Sequence, residues 1–218
     1  MKYVKVCGLK NYEDIRICEL YGADAVGFIY NVPQSPRNLD KITINKLVEK
    51  IHNGLLTVGV SKPQDVLELT HFYDNVHTDY YQIHSTFSKA EINEIPEQVK
   101  KKTILAFKLD ISNIKQIINK INQFSEQFFG FLIDNSEGHG KNLDLSLVRK
   151  VLESTRETRI ILAGGISIEN IEETVIDLDP YGIDVSSSLE SKIGEKDPLK
   201  IKHFLEKINE LKRIMEGE

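Results

Sequence analysis

Eight short runs rich in β-branched and aromatic side chains alternate with longer stretches whose apolar residues recur three and four apart. The runs cover residues 3–7, 24–29, 55–60, 80–84, 103–108, 128–133, 159–162 and 183–186. Each has the length of an ordinary strand. Several are apolar throughout, as in Ile160-Ile161-Leu162, which is the pattern of a parallel strand covered on both faces. Strict β-α alternation gives a parallel sheet with right-handed crossovers. Eight such units in 218 residues predict an α/β fold, a single (β/α)8 TIM barrel forming one domain over residues 1–218.

Cap and stop signals mark the helices in between. Asn11 caps the first, with Glu13 and Asp14 in its first turn and Gly22 as its stop. The second covers 42–51 and ends at Asn53-Gly54. Pro63 stands at the first turn of a helix that continues through 65–73. Ser88 caps 89–94, Asp144 caps 145–153 and Ser167 caps 168–178. Residues 111–124 have helical spacing, and the last helix, 198–215, is the longest.

Charge and cysteine usage narrow the function. A net charge of -5 argues against general affinity for nucleic acid or anionic membrane, while leaving room for a local basic pocket. With 28% charged residues and a mean hydropathy of -0.28, a soluble protein is expected. Cys7 and Cys18 form neither a disulfide framework nor a metal-ligand spacing. The six histidines lie on different elements with no ligand spacing, so no metal is expected. The opening, MKYVKVCGLKNYED, lacks a signal peptide's apolar stretch, and no apolar run reaches the roughly 20 residues of a membrane span. The expected compartment is the cytoplasm.

Function in such a barrel sits at the C-terminal ends of the strands. After the seventh and eighth runs come Gly164-Gly165 and Ser186-Ser187-Ser188. The glycines let backbone amides approach an anion, and the serines precede a short helix whose N–H groups point at the same place. Each signal alone also reads as an ordinary turn or cap; together, on adjacent strands, they indicate a phosphate site. Cys7 ends the first run, as a reactive thiol or a small buried hydrophobe. Asp134 follows the sixth run, as a cap or as an acid whose pKa burial would raise. Arg37 behind Pro36 is either solvated or held to make a forked contact with a carboxylate.

These residues resemble one family. Lys5-Val6-Cys7-Gly8-Leu9, Gly22-Ala23-Asp24-Ala25-Val26-Gly27-Phe28 and Ser35-Pro36-Arg37 look like the opening of phosphoribosylanthranilate isomerases. Val58-Gly59-Val60, Leu162-Ala163-Gly164-Gly165-Ile166 and Asp184-Val185-Ser186-Ser187 with Leu189-Glu190, Gly194 and Lys196-Asp197 match further blocks. The similarity runs from about residue 2 to about residue 205. It implies a ribulose-phosphate-binding barrel without cofactor. The implied reaction is an Amadori rearrangement in tryptophan biosynthesis, turning an N-linked phosphoribosyl amine into a 1-amino-1-deoxy ketose. It assigns the general base to Cys7 and the general acid to Asp134. Arg37, His84 and Asp184 become substrate ligands, and Gly164, Gly165, Ser186, Ser187 and Ser188 hold the phosphate. A cation such as Lys5 would matter to the thiolate. The partner is a small phosphorylated molecule, not nucleic acid or membrane, bound by a monomer or a homodimer.

Three places depart from the family's pattern. Ser85 and Ser188 replace glycines, and the loop Gly138-His139-Gly140-Lys141-Asn142 keeps a glycine-lysine core without its aromatic end. Two rival readings follow: a related barrel acting on another sugar phosphate, and a noncatalytic protein that binds a phosphorylated metabolite. Turnover of fresh phosphoribosylanthranilate, abolished at Cys7 or Asp134, separates the isomerase from both.

Overall fold

A computed structural model describes residues 1–52, 54–134 and 144–217. Its centre is a closed barrel of eight parallel strands: β1 (Tyr3–Cys7), β2 (Ala25–Tyr30), β3 (Leu56–Ser61), β4 (Tyr80–His84), β5 (Thr103–Lys108), β6 (Gly130–Asp134), β7 (Ile160–Ala163) and β8 (Gly182–Val185). Closure comes from β1, which pairs with β2 on one side and β8 on the other. A two-residue strand, Asn38–Leu39, adds to β2 beyond the barrel. A small antiparallel hairpin, Glu190–Lys192 with Glu195–Lys196, follows β8.

The helices are α1 (Tyr12–Leu20), α2 (Lys41–Val48), α3 (Val66–Asn75), α4 (Lys89–Glu94), α5 (Glu97–Lys100), α6 (Ile114–Phe124), α7 (Leu145–Ser154), α8 (Ile171–Leu178) and α9 (Pro198–Glu216). Capping explains most starts. Asn11 accepts from the Asp14 amide at 2.9 Å, Ser88 and Glu91 form a reciprocal capping box, and Asp144 caps α7. Three expectations shift. Asp65 accepts from the Glu68 amide, so α3 begins after it and Pro63 stays outside. Asn170, not Ser167, precedes α8; its side chain takes the Ser167 amide and donates to the Gly165 carbonyl, holding this segment in a turn. Asp40 caps α2, which stops at Val48, and the expected Asn53 stop lies outside the described residues.

Two apolar shells result from the period-two alternation. Outward residues such as Phe28, Phe131 and Ile183 meet the helices, including Phe204 of α9. Each such fully buried side chain contributes about 1.5–3 kcal/mol. Inward residues Ala25, Val58, Ile104, Leu132 and Ile161 fill the lumen. Among the described residues no helix is long and apolar enough to cross a membrane.

Candidate active site

Strand periodicity aims the chemistry. Tyr3, Lys5 and Cys7 share the inner face of β1, Asp184 the inner face of β8, and Leu132 and Asp134 that of β6. Cys7 is the last residue of its strand and only 6% exposed. Lys5 is completely buried one layer below it, beside its register partner Asp184. The Lys5 ammonium donates to Asp184 Oδ2 at 2.8 Å. Asp184 Oδ1 is buried and has no hydrogen-bond partner among the described residues.

Gly27 on β2 completes this corner. A Cβ there would stand 2.8 Å from Cys7 Sγ, 2.9 Å from Lys5 Cε and 3.1 Å from Lys5 Nζ. The missing side chain therefore makes the room in which thiol and ammonium meet. Burial pushes the Cys7 thiol up, and Lys5, by charge and by hydrogen bond, pulls it back; the net direction is upward. Burial works against the Lys5 charge, but Asp184 and Cys7 together hold its pKa above the ordinary value.

Arg37 is held as a fork, and the carboxylate it grips belongs to the protein. Its Nε and Nη2 donate to Glu190 Oε1 and Oε2 at 2.5 and 2.8 Å. Glu190 also accepts from the Gly194 amide at 3.0 Å and from Lys196 Nζ at 2.9 Å. Lys196 in turn donates to the Ser186 carbonyl, and the Ser186 hydroxyl donates to the Cys7 carbonyl at 3.0 Å. The positive φ of Gly8, +79°, lets the chain turn under Arg37, whose Cδ would lie 2.4 Å from a Cβ at that position. The loops after β1, β2 and β8 thus meet around one buried carboxylate. Burial alone would raise that carboxylate; hydrogen bonds from Arg37, Gly194 and Lys196 outweigh it and hold Glu190 at about 2.

On the expected phosphate side, Gly164 and Gly165 have φ of +86° and +70°, a region that disfavours any side chain. A single 3-10 turn, Ser187–Leu189, follows Ser186. Ser187 is exposed. Ser188 donates to the Ile166 carbonyl at 2.7 Å, tying the loops after β7 and β8 together. Its φ is not positive, so serine stands there without backbone strain. The serine hydroxyls at 186 and 188 thus bond to the chain itself.

His84 and Asp134 line a cavity of about 480 Å³ with Lys62, Ser85, Lys108 and Lys120. Burial lowers the His84 pKa, Asp134 opposing it. Gln82 Nε2 lies 3.2 Å from His84 Nε2, so the amide and the imidazole are neighbours at the mouth of β4. Among the described residues no three His, Cys, Asp or Glu side chains gather as a metal site. The loop 135–143, with Gly138, His139, Gly140, Lys141 and Asn142, lies outside the described residues.

Spacing alone gave no role to Gly27, Glu190 or Lys196. The Arg37–Glu190 pair spans 153 positions, and no local pattern in a single sequence reports such a contact.

A family model described as N-(5'phosphoribosyl)anthranilate (PRA) isomerase matches residues 4–207. N-(5'-phosphoribosyl)anthranilate isomerase 1 of Methanosarcina mazei is 32% identical, over 94% of this chain and 94% of that protein. Among solved structures, phosphoribosyl anthranilate isomerase from Thermotoga maritima superposes with a TM-score of 0.82 at 27% identity, covering 96% of this chain and 100% of that one. Another isomerase, crystallised with reduced 1-(o-carboxyphenylamino)-1-deoxyribulose 5-phosphate, gives 0.78 at 25% identity, with 96% and 100% covered. With a match that runs from the first strand into the last helix, and a barrel that superposes on solved isomerases along nearly its whole length, the chain belongs to the N-(5'-phosphoribosyl)anthranilate isomerase family.

Proposed function

We propose that the family's reaction, the isomerisation of N-(5'-phosphoribosyl)anthranilate in tryptophan biosynthesis, is carried by Cys7 as general base and Asp134 as general acid. The observation that supports this most is the shared inner face: Cys7, Leu132 and Ala163 belong to one lumen cluster, and Asp134 continues the face of Leu132 at the strand's mouth end. Asp134 protonates the ring oxygen, which leaves C1 as an imine carbon. The Cys7 thiolate then takes the C2 proton, giving an enolamine. The enolamine ketonises by a net proton shift from O2 to C1, so no atom is gained or lost.

In this reading Arg37 keeps the Nη1 edge of its fork for the aromatic carboxylate while Glu190 fixes the opposite edge. The amides around Gly164, Gly165, Ser187 and Ser188, with Ser186 at their edge, take the phosphate. The second oxygen of Asp184 accepts from a substrate hydroxyl, and the neutral His84 borders the sugar. The lysines around His84 and Asp134 favour the approach of an anionic substrate. Residues 1–218 act as one domain, in the cytoplasm.

Freshly prepared substrate, followed by loss of anthranilate fluorescence, tests the assignment. Cys7→Ser and Asp134→Asn each lower kcat by about 10²–10⁴-fold, the usual worth of a placed acid or base. A variant retaining more than about a tenth of the parent's turnover rejects its residue's role.

A further inference from the structure

We propose that Lys5 is a positioning residue for the reaction, its ammonium shared between Cys7 and Asp184, so that the Asp184 charge governs how readily the thiol ionises. The inference rests on reading Cys7 as the base. The geometry comes from three strands. Lys5 and Cys7 stand two residues apart on the inner face of β1, Asp184 is the register partner of Lys5 on β8, and Gly27 on β2 contributes no side chain between them. Because one Cβ position lies 2.8 Å from the sulfur and 3.1 Å from the ammonium, those two atoms are no more than about 6 Å apart. An ammonium has three N–H donors. One is spent on Asp184 Oδ2 at 2.8 Å, which leaves others for the sulfur.

Among the described residues, the charged and titratable groups that face the thiol are few. From β1 come Tyr3 and Lys5, from β8 Asp184, from the hairpin Lys196, and from the loop after β2 Arg37. Arg37 is clamped on Glu190 by two hydrogen bonds, and Lys196 divides its donors between Glu190 and Ser186. Lys5 is the cation whose partner is an anion of the same lumen. A carboxylate drawing on it weakens its hold on a thiolate, and removal of that carboxylate strengthens it.

The experiment reads the thiol directly. In full-length protein carrying Cys18→Ala, the pH dependence of iodoacetamide alkylation is measured for the parent, for Asp184→Asn, and for Asp184→Asn combined with Lys5→Met. Asp184→Asn moves the alkylation midpoint down by about one pH unit or more, and adding Lys5→Met moves it back up by at least as much. Loosened packing would change rates at every pH without moving the midpoint in opposite directions. A midpoint unchanged or raised in Asp184→Asn overturns the proposal, as does a double variant that titrates with Asp184→Asn. If Asp184→Asn, the less stable of the two, does not fold, the double variant is compared with the parent, and a midpoint below the parent's overturns the proposal. The base assignment fails separately, through turnover in Cys7→Ser, and that result leaves the alkylation midpoints untouched.

Discussion

Arg37 and Glu190 are joined by a two-pronged ion pair, Nε to Oε1 and Nη2 to Oε2, that locks the loop after β2 onto the hairpin after β8. A forked pair of this kind fixes direction as well as position. Whatever meets the free edge of Arg37 therefore meets it at an angle that Glu190 sets.

Glu190→Gln keeps the shape and removes the charge. Hydrogen bonds to charged groups are worth about 1.5–3 kcal/mol, so KM for the anthranilate substrate rises about tenfold or more while kcat falls less. Steady-state kinetics check this; a collapsed kcat at unchanged KM would mean that Arg37 does not work through substrate binding. A second readout is acid stability. Glu190 sits at about 2 in the folded protein against an ordinary 4.5. A depressed carboxylate contributes fully above its unfolded value, and that contribution drains as pH falls from about 4.5 toward 2. The difference in Tm between parent and Glu190→Gln narrows over that window and is steady above it.

Gly27→Ala adds one methyl carbon where Cys7 Sγ would be 2.8 Å away and Lys5 Cε 2.9 Å. The backbone at Gly27 is not in the positive-φ region, so the effect is steric alone. Overpacking of this kind costs about 1–3 kcal/mol. The sulfur is pushed off its line, and kcat drops more than tenfold with KM nearly unchanged. Parent-like kcat in this variant would show that the thiol's position at the end of β1 is not critical.

How much of this was readable from sequence follows from the range of the interactions. The strands were legible because burial on both faces writes apolar runs such as Ile160-Ile161-Leu162. Caps such as Asn11, Ser88 and Asp144 were legible because they act within three residues. Ser167 misled because Asn170 competes for the same turn, and a side-chain contest over three residues has no fixed winner. Cys7 and Asp134 were singled out by strand-end position and by resemblance, and Asp184 by resemblance alone. Glu190 stayed without a role because Arg37 reaches it from 153 positions away. Gly27 looked like one more strand residue, and its importance appears only when β1 lies beside it.

His84 is held below the ordinary imidazole pKa of 6.5, chiefly by burial. As pH falls through 6.5 the unfolded chain takes up the proton before the folded one, so this residue costs stability toward acid. His84→Gln removes that component. Urea midpoints at pH 7 and pH 5 differ less in the variant than in the parent; an equal drop in both would place the acid sensitivity elsewhere.

Gly165→Ala tests the anion side. The φ of +70° costs an alanine about 1–2 kcal/mol, and relief of that strain turns the amides of the loop away from a common point. KM rises at least tenfold, and inorganic phosphate loses its ability to raise the Tm. A variant still protected by phosphate to the same degree would move the anion site away from this loop.

Lys5 and Asp184 supply the last prediction, on stability. Both are buried, and their 2.8 Å contact is the compensation for taking two charges out of water. Breaking such a pair from one side is expensive, about 3–5 kcal/mol, because the survivor is left as a lone buried charge. Replacing both partners with uncharged groups of similar volume is far milder. Lys5→Met alone therefore lowers the urea midpoint steeply, and Lys5→Met with Asp184→Asn recovers most of the loss. A double-mutant cycle isolates the coupling. Losses that simply add would mean that each charge has found water or another partner, and that the contact between β1 and β8 contributes little to holding the barrel closed.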